Sequence, residues 1–259
     1  MIELSHIYKT FEPGTVNESV LFTDFNLSIH NDDFISVIGS NGSGKTTMLN
    51  LLCGSLAPDK GQIIKDGQDI TKMKEYRRSE FISRVYQDPS KGSCPSFSIL
   101  ENIALADNKG KPFNLHLGIK KDRLDYYRTL LETLKLGLEN RLGDKVGSLS
   151  GGQRQALAML TSTLTPTSLM ILDEHTAALD PKTADNIMEL TDRLVHEKKL
   201  TTLMVTHNLK FALQYGNRLI MMHQGKAIID VSGEEKKNLP LSEILGKFNE
   251  ISLEYGNSL

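Results

Sequence analysis

Phe34-Ile35-Ser36-Val37-Ile38 runs directly into Gly39-Ser40-Asn41-Gly42-Ser43-Gly44-Lys45-Thr46, and a helical pattern then continues to Cys53, where Gly54 stops it. The first five residues are β-branched or aromatic around one serine, which predicts a buried strand. Glycine is the favoured residue just past a helix C-cap, so Gly54 marks the helix end. Residues 39–46 match G-x-x-x-x-G-K-[ST] at every fixed position, with a strand before and a helix after. The spacing has a chemical reason. The glycines let backbone N–H groups wrap a phosphate, and the helix N-terminus adds partial positive charge. Lys45 is placed to reach the β- and γ-phosphates of a nucleotide, and the Thr46 hydroxyl to bind Mg²⁺.

Two further apolar runs share this design. Leu169-Met170-Ile171-Leu172 ends at Asp173-Glu174, and Leu203-Met204-Val205-Thr206 ends at His207. Three strands therefore deliver polar chemistry at their C-terminal ends, the edge at which an open parallel α/β sheet binds ligands. Asp173 is placed to hold Mg²⁺ through water. Glu174 is placed to act as general base on an attacking water.

The rest of the chain frames this core. Helical spacing of Leu124, Tyr127, Leu131 and Leu134 predicts a helix from Asp122 to Leu136, ended by Gly137. Asp180-Pro181 opens another, with Ile187, Leu190 and Leu194 as its apolar stripe and Glu189–Arg193 as an i,i+4 pair. Ile2–Ile7, Val20–Ile29 and Gln62–Lys65, with a turn at Asp66-Gly67, predict a small antiparallel sheet. The stretch from about Asp88 to Leu164 is mostly helical and lies between core strands, so it reads as an inserted helical subdomain. A charged tail from Gly233 leads to a short amphipathic helix with Ile244, Leu245, Phe248 and Ile251.

Composition narrows the function. Among 259 residues, 30 Lys and Arg face 32 Asp and Glu, a net charge of -2, which argues against a non-sequence-specific nucleic-acid coat. No run approaches the roughly 20 apolar residues of a membrane span. Met1-Ile2-Glu3-Leu4 has neither the basic nor the apolar region of a secretion signal. Cys53 and Cys94 have no metal-ligand spacing and read as free thiols. A chain of this kind acts at a membrane only through a partner.

Leu149-Ser150-Gly151-Gly152-Gln153 is the most diagnostic string. Ser150 and Gln153 have the S-x-x-Q spacing of a capping box, ahead of an apolar helix from Ala156 to Leu160. The pentapeptide also resembles the signature of the nucleotide-binding subunits of ABC transporters, and the two roles are compatible. The resemblance runs from about Ile2 to Val231. It implies a single ABC ATPase domain over 1–259, with a P-loop NTPase (RecA-like) α/β core of parallel sheet. That core, with a small antiparallel β subdomain, would occupy 1–87 and 165–232. The helical signature subdomain would be 88–164 and the tail 233–259.

Residue by residue, the resemblance assigns Gly39, Ser40, Asn41, Gly42, Ser43, Gly44, Lys45, Thr46 and Thr47 to the nucleotide. Ser150, Gly151, Gly152 and Gln153 would face the γ-phosphate of ATP held by an opposite subunit, the glycines allowing close approach. Gln87, in Val85-Tyr86-Gln87-Asp88-Pro89, resembles the glutamine that contacts Mg²⁺ and couples core to helical insert. Asp180, in Ala178-Leu179-Asp180, resembles an aspartate of the dimer interface and is equally a helix cap. His207 resembles the histidine that donates to the γ-phosphate and keeps Glu174 and the water in register. Phe11 resembles the aromatic that stacks on adenine, with Tyr8 as its rival. Some positions depart from the commonest pattern: His175 where proline is frequent, Ala177-Ala178 at the start of the Asp180 loop, and Asp33 where glycine or glutamate is common. None removes a catalytic group.

The resemblance further implies ATP and Mg²⁺ as cofactors and an ATP-dependent head-to-tail dimer of two copies. It implies a separate integral-membrane permease, an indirect solute-binding lipoprotein, no nucleic acid, and a peripheral place on the cytoplasmic face of the membrane. Residues 173–183 and 217–223 look like the ATPases of bacterial importers for tryptophan, tyrosine or related solutes. The alternatives are a soluble ABC ATPase of translation or DNA repair, and the ATPase of an exporter. Translation factors of that kind carry two cassettes and chromosome-maintenance ATPases a long coiled coil, whereas this chain has one cassette and no sustained heptads. A P-loop kinase would leave Leu149–Gln153 without a purpose.

Overall fold

The computed structural model describes residues 1–111 and 118–255, with side chains as far as 250. The chain begins with β1 (Ile2–Phe11), β2 (Ser19–Ile29), β3 (Phe34–Gly39), α1 (Lys45–Cys53), β4 (Lys60–Lys65), β5 (Gln68–Asp69) and α2 (Glu75–Arg78). There follow β6 (Ile82–Val85), α3 (Ile99–Asp107), α4 (Leu124–Glu132), α5 (Gly151–Ser162), β7 (Leu169–Asp173) and α6 (Pro181–Lys198). The last elements are β8 (Thr202–Val205), α7 (Leu209–Gln214), β9 (Arg218–His223), β10 (Lys226–Ser232), α8 (Gly233–Lys237) and α9 (Leu241–Tyr255). They fall into two units, one formed by Met1–Ser79 with the chain from Leu200 onward, the other by Glu80–Lys199.

The first unit holds two sheets. In the antiparallel one the order is β2-β1-β4-β5, with Leu4 opposite Leu27 on one side and Ile63 on the other. Asp66 and Gly67, at φ 49° and 80°, both take the left-handed conformation that a two-residue hairpin turn demands. In the second sheet β3 lies parallel between β8 and β9, Val37 facing Val205 and Ile220, and β10 runs antiparallel along β9. Every residue of β3 is buried. Its one polar side chain, Ser36, donates its hydroxyl to the Tyr215 carbonyl at 3.0 Å, so burial leaves no unmet donor there.

Arg78 ties this unit together. It is 1 % exposed. Its guanidinium donates to the Leu51 and Leu52 carbonyls at the C-terminal end of α1, at 2.6 and 2.9 Å. It also donates to the carbonyls of Ile70, Thr71 and Met73, at 2.6, 2.9 and 3.0 Å. A cation on the last carbonyls of a helix satisfies both their hydrogen-bonding need and the helix dipole. Gly54 ends α1 at φ 81°, as the sequence predicts. The tail also joins this unit: Ile244 of α9 is fully buried with Ile38, Ala212, Leu219 and Met221, and Phe248 packs at their margin. Leu245, expected on the same apolar face, is 45 % exposed and lies off it. The side chain of Ile251 lies outside the described residues.

In the second unit β6 and β7 pair in parallel, Ile82 with Leu169 through Val85 with Leu172. A reciprocal box of Ser98 and Glu101 starts α3. Asp180 caps α6 by accepting from the Thr183 N–H at 3.1 Å, with Pro181 at the first helical position. Ile187, Leu190 and Leu194 form the buried stripe expected of that helix. Two expectations fail here. The helix predicted as far as Leu136 ends at Glu132, because Thr133 and Leu134 bond back three residues instead of four. The Thr133 hydroxyl completes that tightened end by donating to the Leu130 carbonyl at 2.6 Å. Arg193, in place of the expected pair with Glu189, donates to the Thr133 carbonyl at 2.6 Å.

Candidate nucleotide-binding and catalytic site

In the first unit the phosphate loop is built around its lysine. Gly39, at φ 150°, brings the loop so close to the Met222 carbonyl that no Cβ fits there. The Ser43 N–H donates to the Ser40 carbonyl at 3.2 Å, and the Gly225 N–H donates to the Ser43 carbonyl at 3.0 Å. Lys45 is 6 % exposed. Its ammonium donates to the carbonyls of Gly39 and Ser40, at 2.7 and 2.8 Å, and to Ser43 Oγ at 3.3 Å. The charge is thus held inside the ring of oxygens that the loop itself provides. Asn41 and Thr46 are exposed beside it, and Thr47 is half-buried on the first turn of α1.

Tyr8 and Phe11, the rival adenine platforms, are equally exposed at 37 %. Each carries a lysine ammonium near its ring, Lys60 at 5.9 Å and Lys9 at 5.8 Å from the centroid, so exposure and charge do not separate them. His207 is exposed just beyond β8. The turn that carries it is fixed by Thr206 Oγ1, which accepts from the Asn208 N–H at 3.0 Å, while Asn208 caps α7.

The second unit holds the acids and the signature. Asp173 ends β7, and its Oδ2 accepts from Arg84 Nη2 at 2.6 Å. Glu174 follows with φ 50°, a conformation that costs a non-glycine residue about 1–2 kcal/mol. A turn closes behind it, the Ala177 N–H donating to the Glu174 carbonyl at 2.9 Å. His175 is 2 % exposed, and burial pushes its imidazole down to about 4. Its Nε2 lies 3.2 Å from Thr191 Oγ1. That hydroxyl gives its proton to the Ile187 carbonyl at 2.7 Å, so Nε2 carries the hydrogen of the neutral ring.

Ser150 and Gln153 form the predicted capping box. Ser150 Oγ accepts from the Gln153 N–H at 3.2 Å, and Gln153 Oε1 accepts from the Ser150 N–H at 3.1 Å. Gly152 has a packing reason beyond any ligand, since a Cβ there would run into the Thr183 methyl of α6. Asp180 spends its carboxylate on Thr183, whose hydrogen bonds hold it below the usual range. Gln87 is exposed. The carbonyl of Tyr86 before it accepts from Gln155 Nε2 at 3.2 Å, and Gln155, on α5, is 1 % exposed.

Sequence reasoning passed over Arg84, Gln155 and Arg78. A signal existed for Arg84 alone, a long cation in the mostly apolar run Phe81-Ile82-Ser83-Arg84-Val85-Tyr86, which must find partners when buried. Arg78 and Gln155 lie among other polar residues, and nothing local marks them for burial. The proposed Mg²⁺ donors are a hydroxyl (Thr46), an amide oxygen (Gln87) and a carboxylate (Asp173). This hard-oxygen set suits Mg²⁺, which binds through one or two protein groups together with substrate phosphates and water. Among the described residues no cluster of three or more His, Cys, Asp or Glu could hold a metal.

Residues 22–177 match the ABC transporter family, and the chain belongs to it. Its fold is that of the P-loop NTPase cassettes. It is 48 % identical over 250 residues to the tyrosine transport ATP-binding protein of Clostridioides difficile (strain R20291), covering 96 % of this chain and 98 % of that protein. It is 32 % identical to the spermidine/putrescine import ATP-binding protein PotA of Haemophilus influenzae (strain ATCC 51907 / DSM 11121 / KW20 / Rd), over 96 % of this chain and 63 % of that one. Among solved structures, a dimeric ATP-binding cassette in a post-hydrolysis state, bound to ADP and Pi, superposes with a TM-score of 0.75. That match has 27 % identity and covers 90 % of this chain and 98 % of the other. No helix among the described residues is long and apolar enough to cross a membrane.

Proposed function

We propose that the chain is the ATP-hydrolysing subunit of a bacterial ABC importer, a single ATPase domain that dimerises head to tail on MgATP. What supports this is that one chain carries a phosphate loop built around buried Lys45 and, on another helix, an N-terminus capped by Ser150 and Gln153, the two parts that a head-to-tail dimer would bring to one ATP. Gly39–Thr47 wrap the phosphates with backbone N–H groups. Lys45 exchanges its loop oxygens for β- and γ-phosphate oxygens. Phe11 or Tyr8 stacks on adenine.

Thr46, Gln87 and Asp173 hold Mg²⁺, whose chemistry is to neutralise charge on the phosphates. Glu174 takes the proton of the attacking water, and His207 donates to the γ-phosphate and keeps that water in line. Ser150–Gln153 of the second copy close over the γ-phosphate, and Asp180 lies at the dimer interface. Differential binding of ATP then favours the closed dimer, and hydrolysis reopens it. Within the domain, 88–164 is the helical signature subdomain and 1–87 with 165–232 the catalytic core.

The partners are an integral-membrane permease at the cytoplasmic face and, indirectly, a solute-binding lipoprotein. The solute is an amino acid such as tyrosine or tryptophan; what supports this is the 48 % identity to a tyrosine transport ATP-binding protein over nearly the full length of both chains. The test is Glu174→Gln. This variant is expected to bind ATP, to accumulate as a dimer and to lose turnover at least a hundredfold. Tagged in its host and solubilised with MgATP, it is expected to bring down a multispanning permease. Near-normal hydrolysis refutes the role of Glu174. Recovery with ribosomes or DNA and no permease refutes the transport function.

A further inference from the structure

Arg84 is an ionisable residue on a short buried strand. On β6 it pairs with Ile171 of β7, and its side chain reaches two residues further to Asp173. The two side chains are 13 % and 20 % exposed, with Nη2 and Oδ2 2.6 Å apart. The same guanidinium lies 4.9 Å from the centroid of Tyr86, the residue before Gln87. So little exposure makes an uncompensated carboxylate costly, and this pair supplies the compensation from within the chain.

We infer that Arg84 is the resident counter-cation of Asp173: it neutralises the carboxylate in the nucleotide-free chain and yields it to the divalent cation that accompanies ATP. The inference rests on Asp173 being a Mg²⁺ ligand, as proposed above. The rest follows from linkage. Removing Arg84 destabilises the cation-free state, where its guanidinium is paired with Asp173 at 2.6 Å. It destabilises the cation-loaded state less, because the metal supplies the charge. A cation must therefore bind more tightly once Arg84 is gone. A residue that merely held Asp173 in position for the metal would have the opposite effect.

The experiment follows the melting temperature of the full chain saturated with the non-hydrolysable analogue AMPPNP, first in EDTA and then across a Mg²⁺ titration. Arg84→Met is expected to melt lower than the parent in EDTA, to regain part of that loss with Mg²⁺, and to reach half-saturation at a Mg²⁺ concentration at least fivefold lower. Arg84→Lys, which keeps the charge, is expected to stay within twofold of the parent. Should Arg84→Met not yield soluble protein, Arg84→Gln removes the charge while keeping an N–H donor and is read in the same way. An unchanged or raised half-saturation in the uncharged variant overturns the inference, and so does a lysine variant that tracks it. Asp173→Asn separates the two levels. If it leaves the Mg²⁺ requirement unaltered, the metal role of Asp173 fails. If it raises the requirement while Arg84→Met does not lower it, only the role of Arg84 fails.

Discussion

His175 makes stability depend on pH in a window that can be worked out beforehand. The ring is buried and neutral, and its pKa falls from an ordinary 6.5 to about 4. Because the folded value is depressed, the unfolded chain binds this proton more readily. The contribution of the neutral ring is fully present above about pH 6.5 and is lost as pH falls toward 4. Between pH 7.5 and pH 5.0 the loss comes to about 2 kcal/mol, and to about 3 kcal/mol once both states are protonated.

His175→Gln isolates this contribution, since glutamine can still donate an N–H to Thr191 Oγ1 but does not titrate. The chain contains no tryptophan, so urea unfolding is best followed by circular dichroism at both pH values. The wild type is expected to lose about 2 kcal/mol more than the variant on going to pH 5.0. Carboxylates titrate in both proteins and cancel in the comparison. Equal losses would refute the buried neutral imidazole, as would a His175 ring resonance that titrates above pH 6.

Three other substitutions probe the scaffold. Arg78→Met leaves five carbonyl oxygens without their donor and is expected to cost about 3 kcal/mol or more by thermal or urea denaturation. A loss below 1 kcal/mol would mean that water replaces the guanidinium. Glu174→Gly removes the left-handed strain together with the acid, so it should melt higher than Glu174→Gln, by the equivalent of about 1 kcal/mol, while both lose turnover. A glycine variant that melts lower than the glutamine variant contradicts the strain. Gly152→Ala is expected to cost about 1–3 kcal/mol through its clash with the Thr183 methyl. Adding Thr183→Ser, which removes that methyl, should restore most of the loss; no restoration would place the cost elsewhere.

The residues legible in sequence are those whose partners lie close along the chain. Gly54 ends α1, Ser150 and Gln153 cap α5, and Asp180-Pro181 opens α6, each through bonds spanning a few residues. The all-buried β3 is legible for the same reason, as a continuous apolar run. Distant partners leave no such trace. Arg84 meets Asp173 across 89 residues, and Gln155 meets Tyr86 across 69. The end of α4 shows both kinds: its last turn tightens through bonds three residues back, and the Thr133 carbonyl just beyond it is met by Arg193 of α6, a partner that the periodicity of Leu124, Tyr127, Leu131 and Leu134 does not hint at. Leu134 remains buried although it lies past the helix end, so the pattern identified a core residue while misplacing the boundary.

The division between exposed and buried polar groups is itself informative. Thr46, Gln87, Ser150 and His207, all assigned to nucleotide or metal, are exposed. Gln155, which bonds to the Tyr86 carbonyl beside Gln87, and His175, the residue after Glu174, are buried. A group that must exchange water for phosphate oxygens cannot be sealed into a core, yet it must be held to within a fraction of an ångström to act. The groups proposed to react lie at strand and helix ends, and a buried polar side chain such as Gln155 bonds to the segment that carries one of them. Lys45 and Asp173 stand between these classes, largely buried and already engaged with oxygens or a guanidinium of the chain itself. In the roles proposed for them, each of these charges must give up its internal bonds before it meets a phosphate or a cation, so the strength of those bonds enters the affinity as much as the new contacts do.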